Sequence, residues 1–326
     1  MVYCFEKNIK NTKEGSTLMT MERILEDIFS DRVKRVIHDG DFAIEMDDQY
    51  ALAFCIGSEK IELLGATAAT FGKGKTEDFA LGMECCYKEI ERVYDVCGVT
   101  GKYPVFHGAT RPMGVDDPVM SDAVKFIIDT AHSVRGTDEI IYLLATGCAP
   151  NIASAFYIDP SIKGNICVVW LGGTNLETDE ELTDECNLGW NVTAGQYLLS
   201  LDVPLILLPA YTHGTNVLTV TREDFNNYMP DDNKVTRFYR DTLPDQFSNE
   251  SYYVNGFFKR SIFDVAAPGI LTDPEAYELK IIPAPVITDA GRYAFCATNH
   301  KIIYMERMQR KPVLDSTFKA INNIKV

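Results

Sequence analysis

The chain has 326 residues, 46% of them hydrophobic, and a formal net charge of −16. That length can bury one large core or two medium ones, and the negative balance argues against nucleic-acid backbones and anionic membranes as partners. No stretch approaches the roughly 18 uninterrupted apolar residues of a membrane span, the start MVYCFEKNIKNTKEGSTLMT lacks the apolar centre of a secretory signal, and nine cysteines without a CxxC pair fit reduced thiols in a cytoplasm.

Residues 1–32 read as a polar extension with one amphipathic helix, LMTMERILEDIF, and a single domain is expected from Val33 to Val326. From Val33 onwards, short apolar runs alternate with segments of helical period. RVI (35–37) is a predicted strand, DDQYALAFCIG (47–57) a helix and IELLGAT (61–67) a strand. Segment 77–96 is a helix whose Phe79, Met83, Cys86, Ile90 and Val93 or Tyr94 share one face. A helix at 122–134, a strand at 139–146, a helix at 149–158, a strand at 166–173, a helix at 191–201 and a strand at 204–210 continue the alternation. Strands this apolar, separated by helices, imply an open, mainly parallel, Rossmann-like α/β sheet with helices on both faces. Residues 221–260, rich in Asn, Asp and Tyr, break the rhythm and read as mixed helix and loop, a lid candidate.

The stretch HDGDFAIEMDDQYALAF (38–54) crowds Asp39, Asp41, Glu45, Asp47 and Asp48 together. Carboxylates this close raise one another's pKa unless a cation neutralises them or solvent screens them. Asp47 also suits a helix start, where carboxylates satisfy free N–H groups. In open α/β sheets ligands bind beyond the carboxyl ends of the strands. Asp39 and Asp41 leave the first strand there, as do Thr146 and the GGTN that follows VVWL, so polar segments converge on one rim. Several carboxylates with backbone carbonyls suit Ca²⁺ or Mg²⁺. An EF-hand is excluded, because that loop needs an acceptor at Ala43 and glycine at Ile44. A haloacid dehalogenase-type phosphatase shares Asp-x-Asp after a strand, but Ala43 stands where it has a hydroxyl or valine.

DGDFAIEMDDQYAL resembles the Asp-x-Asp…Asp-Asp signature of the calcium-dependent, inosine–uridine-preferring nucleoside hydrolases, with a spacing two residues longer than the common one. Further segments are similar in the same order: YPVFHGATRP, LLATGCAPNIASAF, VVWLGGTN, DECNLGWN, PAYTHGTN and SIFDVAAPGIL. The likeness runs over roughly residues 33–285, and its strength lies in the ordered set. It implies a nucleoside hydrolase fold and one Ca²⁺ held by Asp41, both oxygens of Asp48, the main-chain carbonyl of Thr146 and Asp264. Two ribose hydroxyls and a water would complete the shell. Asp47, Asn175, Glu185 and Asn187 would hydrogen-bond the sugar, and Asp39 would support the loop from behind. Asp41 would take a proton from the water that attacks the anomeric carbon. The resemblance also implies a homo-oligomer, dimer or tetramer, acting on a small nucleoside or other riboside in purine or pyrimidine salvage.

Phe263 departs from the pattern, standing where many members carry a histidine, and it cannot protonate a leaving base. Phe263 or Trp190 could stack on the base, and each could equally be core packing. His213 reads as structural beside a strand end, and Asn191 and Asn216 as caps or turn residues. Three functions therefore stand open: an N-ribosyl hydrolase, a ribose- or nucleoside-binding protein that keeps the metal site, and a hydrolase of another ribosylated substrate.

Overall fold

The computed structural model describes residues 19–326 apart from 72–75, 77, 179–180 and 211–213. Strands β1 (Lys34–Gly40), β2 (Ile61–Ala68), β3 (Val105–Phe106), β4 (Ile141–Ala145), β5 (Ile166–Leu171) and β6 (Leu205–Leu208) form the parallel heart of an eight-stranded sheet. Short strands β7 (Thr219–Thr221), β8 (Tyr253–Val254) and β9 (Phe257–Ser261) make a separate antiparallel sheet. Strand β10 (Tyr277–Pro283) returns to the main sheet, β11 (Val286–Ile287) and β12 (Tyr293–Ala294) pair as a ribbon, and β13 (Lys301–Met308) comes last. The order across the main sheet is β3-β2-β1-β4-β5-β6-β13-β10, with β10 antiparallel to β13 and the other pairs parallel. The chain therefore reverses its direction of travel between β1 and β4. Crevices open at such switch points, beyond the strands' carboxyl ends.

Every residue of β4 and β5 is buried, because helices cover both faces. The pleat sends alternate side chains to opposite cores. Val36, Tyr142, Leu144, Cys167 and Val169 enter one, and Ile37, Ile141, Leu143, Ile166 and Val168 the other. The first core is covered by α1 (Met21–Ile28), α2 (Asp47–Gly57), α3 (Phe79–Val96), α11 (Ala266–Thr272) and α12 (Arg310–Asn323). The second is covered by α4 (Asp122–Ser133), α5 (Pro150–Ile158) and α7 (Val192–Ser200), which follows the short α6 (Cys186–Gly189). Along α3, Met83, Cys86, Ile90, Val93 and Tyr94 are buried together and Phe79 is half-buried.

Helix α2 is buried from Asp47 to Cys55, so it needs an apolar neighbour on its outer side. That neighbour is α12, which approaches so closely that a Cβ on Gly57 would lie 2.0 Å from the Ala320 carbonyl oxygen. Helix α1 is capped by Thr20 and places Met21, Ile24 and Ile28 in the first core. Its apolar stripe thus packs against the first core. Segment 221–260 holds α8 (Arg222–Tyr228), α9 (Lys234–Arg237), a π-turn at Phe238–Thr242, α10 (Leu243–Phe247) and the β8–β9 hairpin. Phe225 stacks on Tyr50 of α2 with ring centres 5.6 Å apart, and Tyr239 and Tyr252 are buried in the same core. No helix among the described residues is long and apolar enough to cross a membrane.

Candidate metal and sugar site

Strand β1 ends in Asp39 and Gly40 beside the end of β4, with Asp41 the next residue, and the Thr146 N–H donates to the Asp39 carbonyl at 2.9 Å. Gly40 is required by crowding, since a Cβ there would lie 2.2 Å from Asp48 Oδ1 and 2.7 Å from Thr146 Oγ1. The chain then loops through Phe42, whose carbonyl accepts from the Gln49 side chain, and enters α2 at Asp47. Asp264 arrives from the other end of the chain, on a 3₁₀ turn (Phe263–Val265) between β9 and α11. The Phe263 N–H donates to Asp47 Oδ2 at 3.2 Å and ties that turn to the start of α2.

Carboxylate oxygens of Asp47, Asp48 and Asp264, all buried, lie within 4.8 Å of one another. The Asp41 carboxyl is within hydrogen-bonding reach of Asp48. Burial pushes Asp48 up to about 6 and Asp47 up to about 7. Asp41 and Asp264 are held well above the usual carboxylate range by burial and then by the neighbouring carboxylates. Asp48 Oδ2 is buried with no hydrogen-bond partner among the described residues. Such an arrangement is costly unless a cation sits among the oxygens. The donor set is oxygen only, which suits a hard ion of the Ca²⁺ or Mg²⁺ kind. Cys86 and Cys148 lie behind it, but burial pushes both thiols well up, so they stay protonated and poor ligands.

Thr146 connects the cluster to β1. Its hydroxyl donates to Asp48 Oδ1 at 2.6 Å and accepts from His38 Nε2 at 2.8 Å. Burial pushes His38 down to about 3, so the ring is neutral and its one proton sits on Nε2. The Thr146 carbonyl accepts from Asn187 Nδ2 at 3.1 Å, and the same amide donates to the Leu171 carbonyl at 2.9 Å. Both donor roles of Asn187 are therefore spent on fixing strand ends, and its Oδ1 is the polar atom left for a ligand. Glu185 is fixed at the start of α6. Its oxygens accept from the N–H groups of Asn187 at 2.8 Å, Leu188 at 2.9 Å and Gly173 at 2.7 Å, yet burial still pushes it up to about 7. Asp39 lies behind the rim, accepting from Thr67 Oγ1 at 2.6 Å and Asn151 Nδ2 at 2.8 Å, and burial raises it to about 7.

The fold thus brings Asp41, Asp47, Asp48, Thr146, Glu185, Asn187, Phe263 and Asp264 to one place, and all but Asp48 line a single pocket. Phe263 and Trp190 supply aromatic walls, and Ile44, Leu171 and Ala210 are also on the lining. Asn175 does not join this group. It is exposed, its Oδ1 accepts from the Glu177 N–H at 3.0 Å, and it lines a separate, larger cavity with Lys280 and Arg307. Gly173, at φ +67°, lies between β5 and Asn175. Asn191 bridges both main-chain groups of Met113, Asn216 lines the cavity of Asn175, and His213 lies outside the described residues.

Sequence reasoning missed His38 and Asn151. Strand parity could have found the first, because residues 38 and 40 point to the same face. Asn151 sits in the quoted APNIASAF segment, and its amide spans Asp39, the Ala68 carbonyl and the Ala109 N–H.

Comparisons with known proteins agree with this layout. A family model described as inosine-uridine preferring nucleoside hydrolase matches residues 36–313. Among solved structures, the fold is similar to the purine-preferring ribonucleoside hydrolase from Gardnerella vaginalis, at 19% identity and a TM-score of 0.72, covering 89% of this chain and 99% of that one. It is also similar to the inosine-uridine preferring nucleoside hydrolase from Bacillus anthracis, at 16% identity and 0.65, covering 89% and 100%. The type III effector protein XopQ complexed with adenosine diphosphate ribose is similar at 10% identity and 0.66, covering 94% and 99%. No match was found among curated protein sequences. With the family model spanning most of the sequence, from β1 to α12, the chain belongs to the inosine-uridine preferring nucleoside hydrolase family.

Proposed function

We propose that the protein hydrolyses the N-glycosidic bond of a ribonucleoside in a Ca²⁺-dependent reaction, releasing ribose and base. The observation that carries this reading is the buried carboxylate cluster, with its unpartnered Asp48 oxygen, at the floor of a pocket walled by aromatic rings. Asp41, Asp48, Asp264 and the Thr146 carbonyl are the residues to hold the ion, with Asp47 beside them. Bound calcium would orient the sugar diol and make a neighbouring water more acidic. Asp41 accepts the proton of the attacking water; a bound cation would offset the burial and like-charge repulsion that raise its carboxyl and keep it ionised for that role. Asp47, Glu185 and the Oδ1 of Asn187 hydrogen-bond the sugar hydroxyls and stabilise positive charge at the anomeric carbon as the bond lengthens. Glu185 is well suited, because three backbone N–H groups fix its position before substrate arrives.

A second reading follows from Phe263, which lines the pocket without an acidic proton. On that reading the protein binds a riboside with little turnover, or cleaves another ribosylated compound. The adenosine diphosphate ribose complexed with the structurally similar XopQ is a ligand of that second kind. One experiment separates the readings: incubation of calcium-loaded protein with inosine, uridine and adenosine diphosphate ribose, followed by assay of free reducing sugar. Release of ribose from either nucleoside supports the proposal. Saturable binding of both without release would refute it.

A further inference from the structure

We infer that Arg260 stabilises the negative charge that develops on the departing base. The inference rests on the hydrolase reading above. When the bond between the anomeric carbon and the base nitrogen breaks, its electron pair stays on the nitrogen. The attacking water supplies the new C–O bond and gives its proton to Asp41. A base that is not protonated as it leaves carries a full negative charge, and takes its proton from solvent afterwards. Apart from the carboxylates, the described lining of the pocket offers that charge apolar side chains with Thr146, Cys186, Asn187 and Trp190, and no cation among them.

Arg260 lies just behind this wall. It belongs to β9, three residues before Phe263, and its guanidinium is ion-paired with Glu45, which lines the pocket together with Phe263. The guanidinium carbon is 5.6 Å from the Phe263 ring centre and 4.6 Å from the Tyr252 ring centre, so two aromatic faces and one carboxylate fix its place. Its side chain is only 19% exposed, and its Nε is buried with no hydrogen-bond partner among the described residues. Arginine keeps its proton at any working pH, so Arg260 acts as a fixed charge and donor, never as a general acid. In a poorly solvated site such a preplaced cation favours a developing anion strongly. The plainer role, a clamp joining β9 to the acidic loop through Glu45, uses the same ion pair. Its signature differs, because a clamp serves every substrate alike.

The test measures kcat/KM with calcium for p-nitrophenyl riboside, uridine and inosine, using the wild type, R260K and R260M. The p-nitrophenolate ion spreads its charge over its own ring and needs little help to leave. R260M is expected to lose roughly hundredfold on inosine and uridine and less than about threefold on the activated riboside. R260K should recover part of the loss. Ribose affinity should not change, and calcium should still raise the melting temperature, since Asp264 keeps its carboxylate when its neighbouring cation is removed. Equal losses on all three substrates, or no loss on the nucleosides, would overturn the role of Arg260 while leaving the hydrolase reading intact. If R260M does not fold, R260Q gives the same comparison, since it keeps a donor without the charge. Failure of the calcium-loaded wild type to release ribose from all three substrates would instead remove the hydrolase reading, and this inference with it.

Discussion

Replacing Asp39 by asparagine should stabilise the metal-free protein, and by more at pH 8 than at pH 5. Asp39 is buried behind the rim, and burial lifts it from the ordinary 3.8 to about 7. The folded state therefore holds this proton more tightly than the unfolded chain does. The stability it contributes is full below the unfolded pKa near 4 and is lost as pH rises towards 7. At 1.36 kcal/mol for each unit between the two pKa values, the loss reaches about 4 kcal/mol by pH 8, of which about 2 kcal/mol is already present at pH 5. Asparagine cannot ionise and escapes that loss, while its carbonyl can still accept from Thr67 and Asn151. Any fixed cost of its new N–H₂ group is the same at both pH values and cancels in the comparison. The advantage of D39N over the wild type should then grow by about 2–3 kcal/mol from pH 5 to pH 8, or roughly 3–5 °C in melting temperature. Thermal unfolding in EDTA at the two pH values measures it. An advantage that is equal at both, or smaller at pH 8, would show that Asp39 is not a strained buried charge.

Asp47, Asp48 and Glu185 are lifted in the same direction, so the wild type in EDTA should also lose stability between about pH 4 and pH 7, and calcium should flatten that slope. Millimolar calcium should raise the melting temperature at pH 8 by mass action, and D264N should abolish most of the rise; an undiminished rise in D264N would remove Asp264 from the ion's shell. D41N should fold, yet lose at least about hundredfold in ribose release, because an amide is no base; near-normal turnover would clear Asp41 of that role. T146V leaves His38 Nε2 and Asp48 Oδ1 without their shared partner, and should cost about 2–4 kcal/mol in chemical denaturation without metal; a change below about 0.5 kcal/mol would mean that another group replaces the hydroxyl. With no acid at Phe263, p-nitrophenyl riboside should be cleaved at least about a hundredfold faster than inosine by the wild type; comparable rates would reveal an acid elsewhere in the pocket.

Where burial is nearly complete, local sequence and final structure coincide. Segment 47–57 is helical from its acidic first turn to Gly57, as its pattern implies, and the apolar runs at 141–145 and 166–171 became central strands. The edge was harder to see. Strand β10, YELKIIP, is exposed along much of its length, so it lacks the apolar run that marks an inner strand. The β8–β9 hairpin did carry a signal, Asn255–Gly256, whose positive φ values of 52° and 79° are those a tight hairpin turn demands. At the site, the carboxylates were legible because crowded like charges near a strand end have few other uses. Asn175 was not, since its local sequence does not say which of two neighbouring cavities an asparagine beyond a strand end will line. His38 was hidden for the opposite reason: on a strand it looks like one more core side chain, and its partner Thr146 is 108 residues away.

The bond between Phe263 and Asp47 joins residues 216 apart in the chain, and α2 leans on α12, the last helix. During synthesis the acidic loop therefore emerges long before the turn that carries Asp264 and the helix that covers its flank. Until both arrive, Asp41, Asp47 and Asp48 have neither their fourth carboxylate nor the apolar roof that takes them out of water. A chain cut short before α12 would leave a solvated, weakly attractive acidic loop where the full chain has a rigid cage. Tight capture of a cation would then mark the end of folding, arriving only with the slow, long-range closure of the chain's two ends.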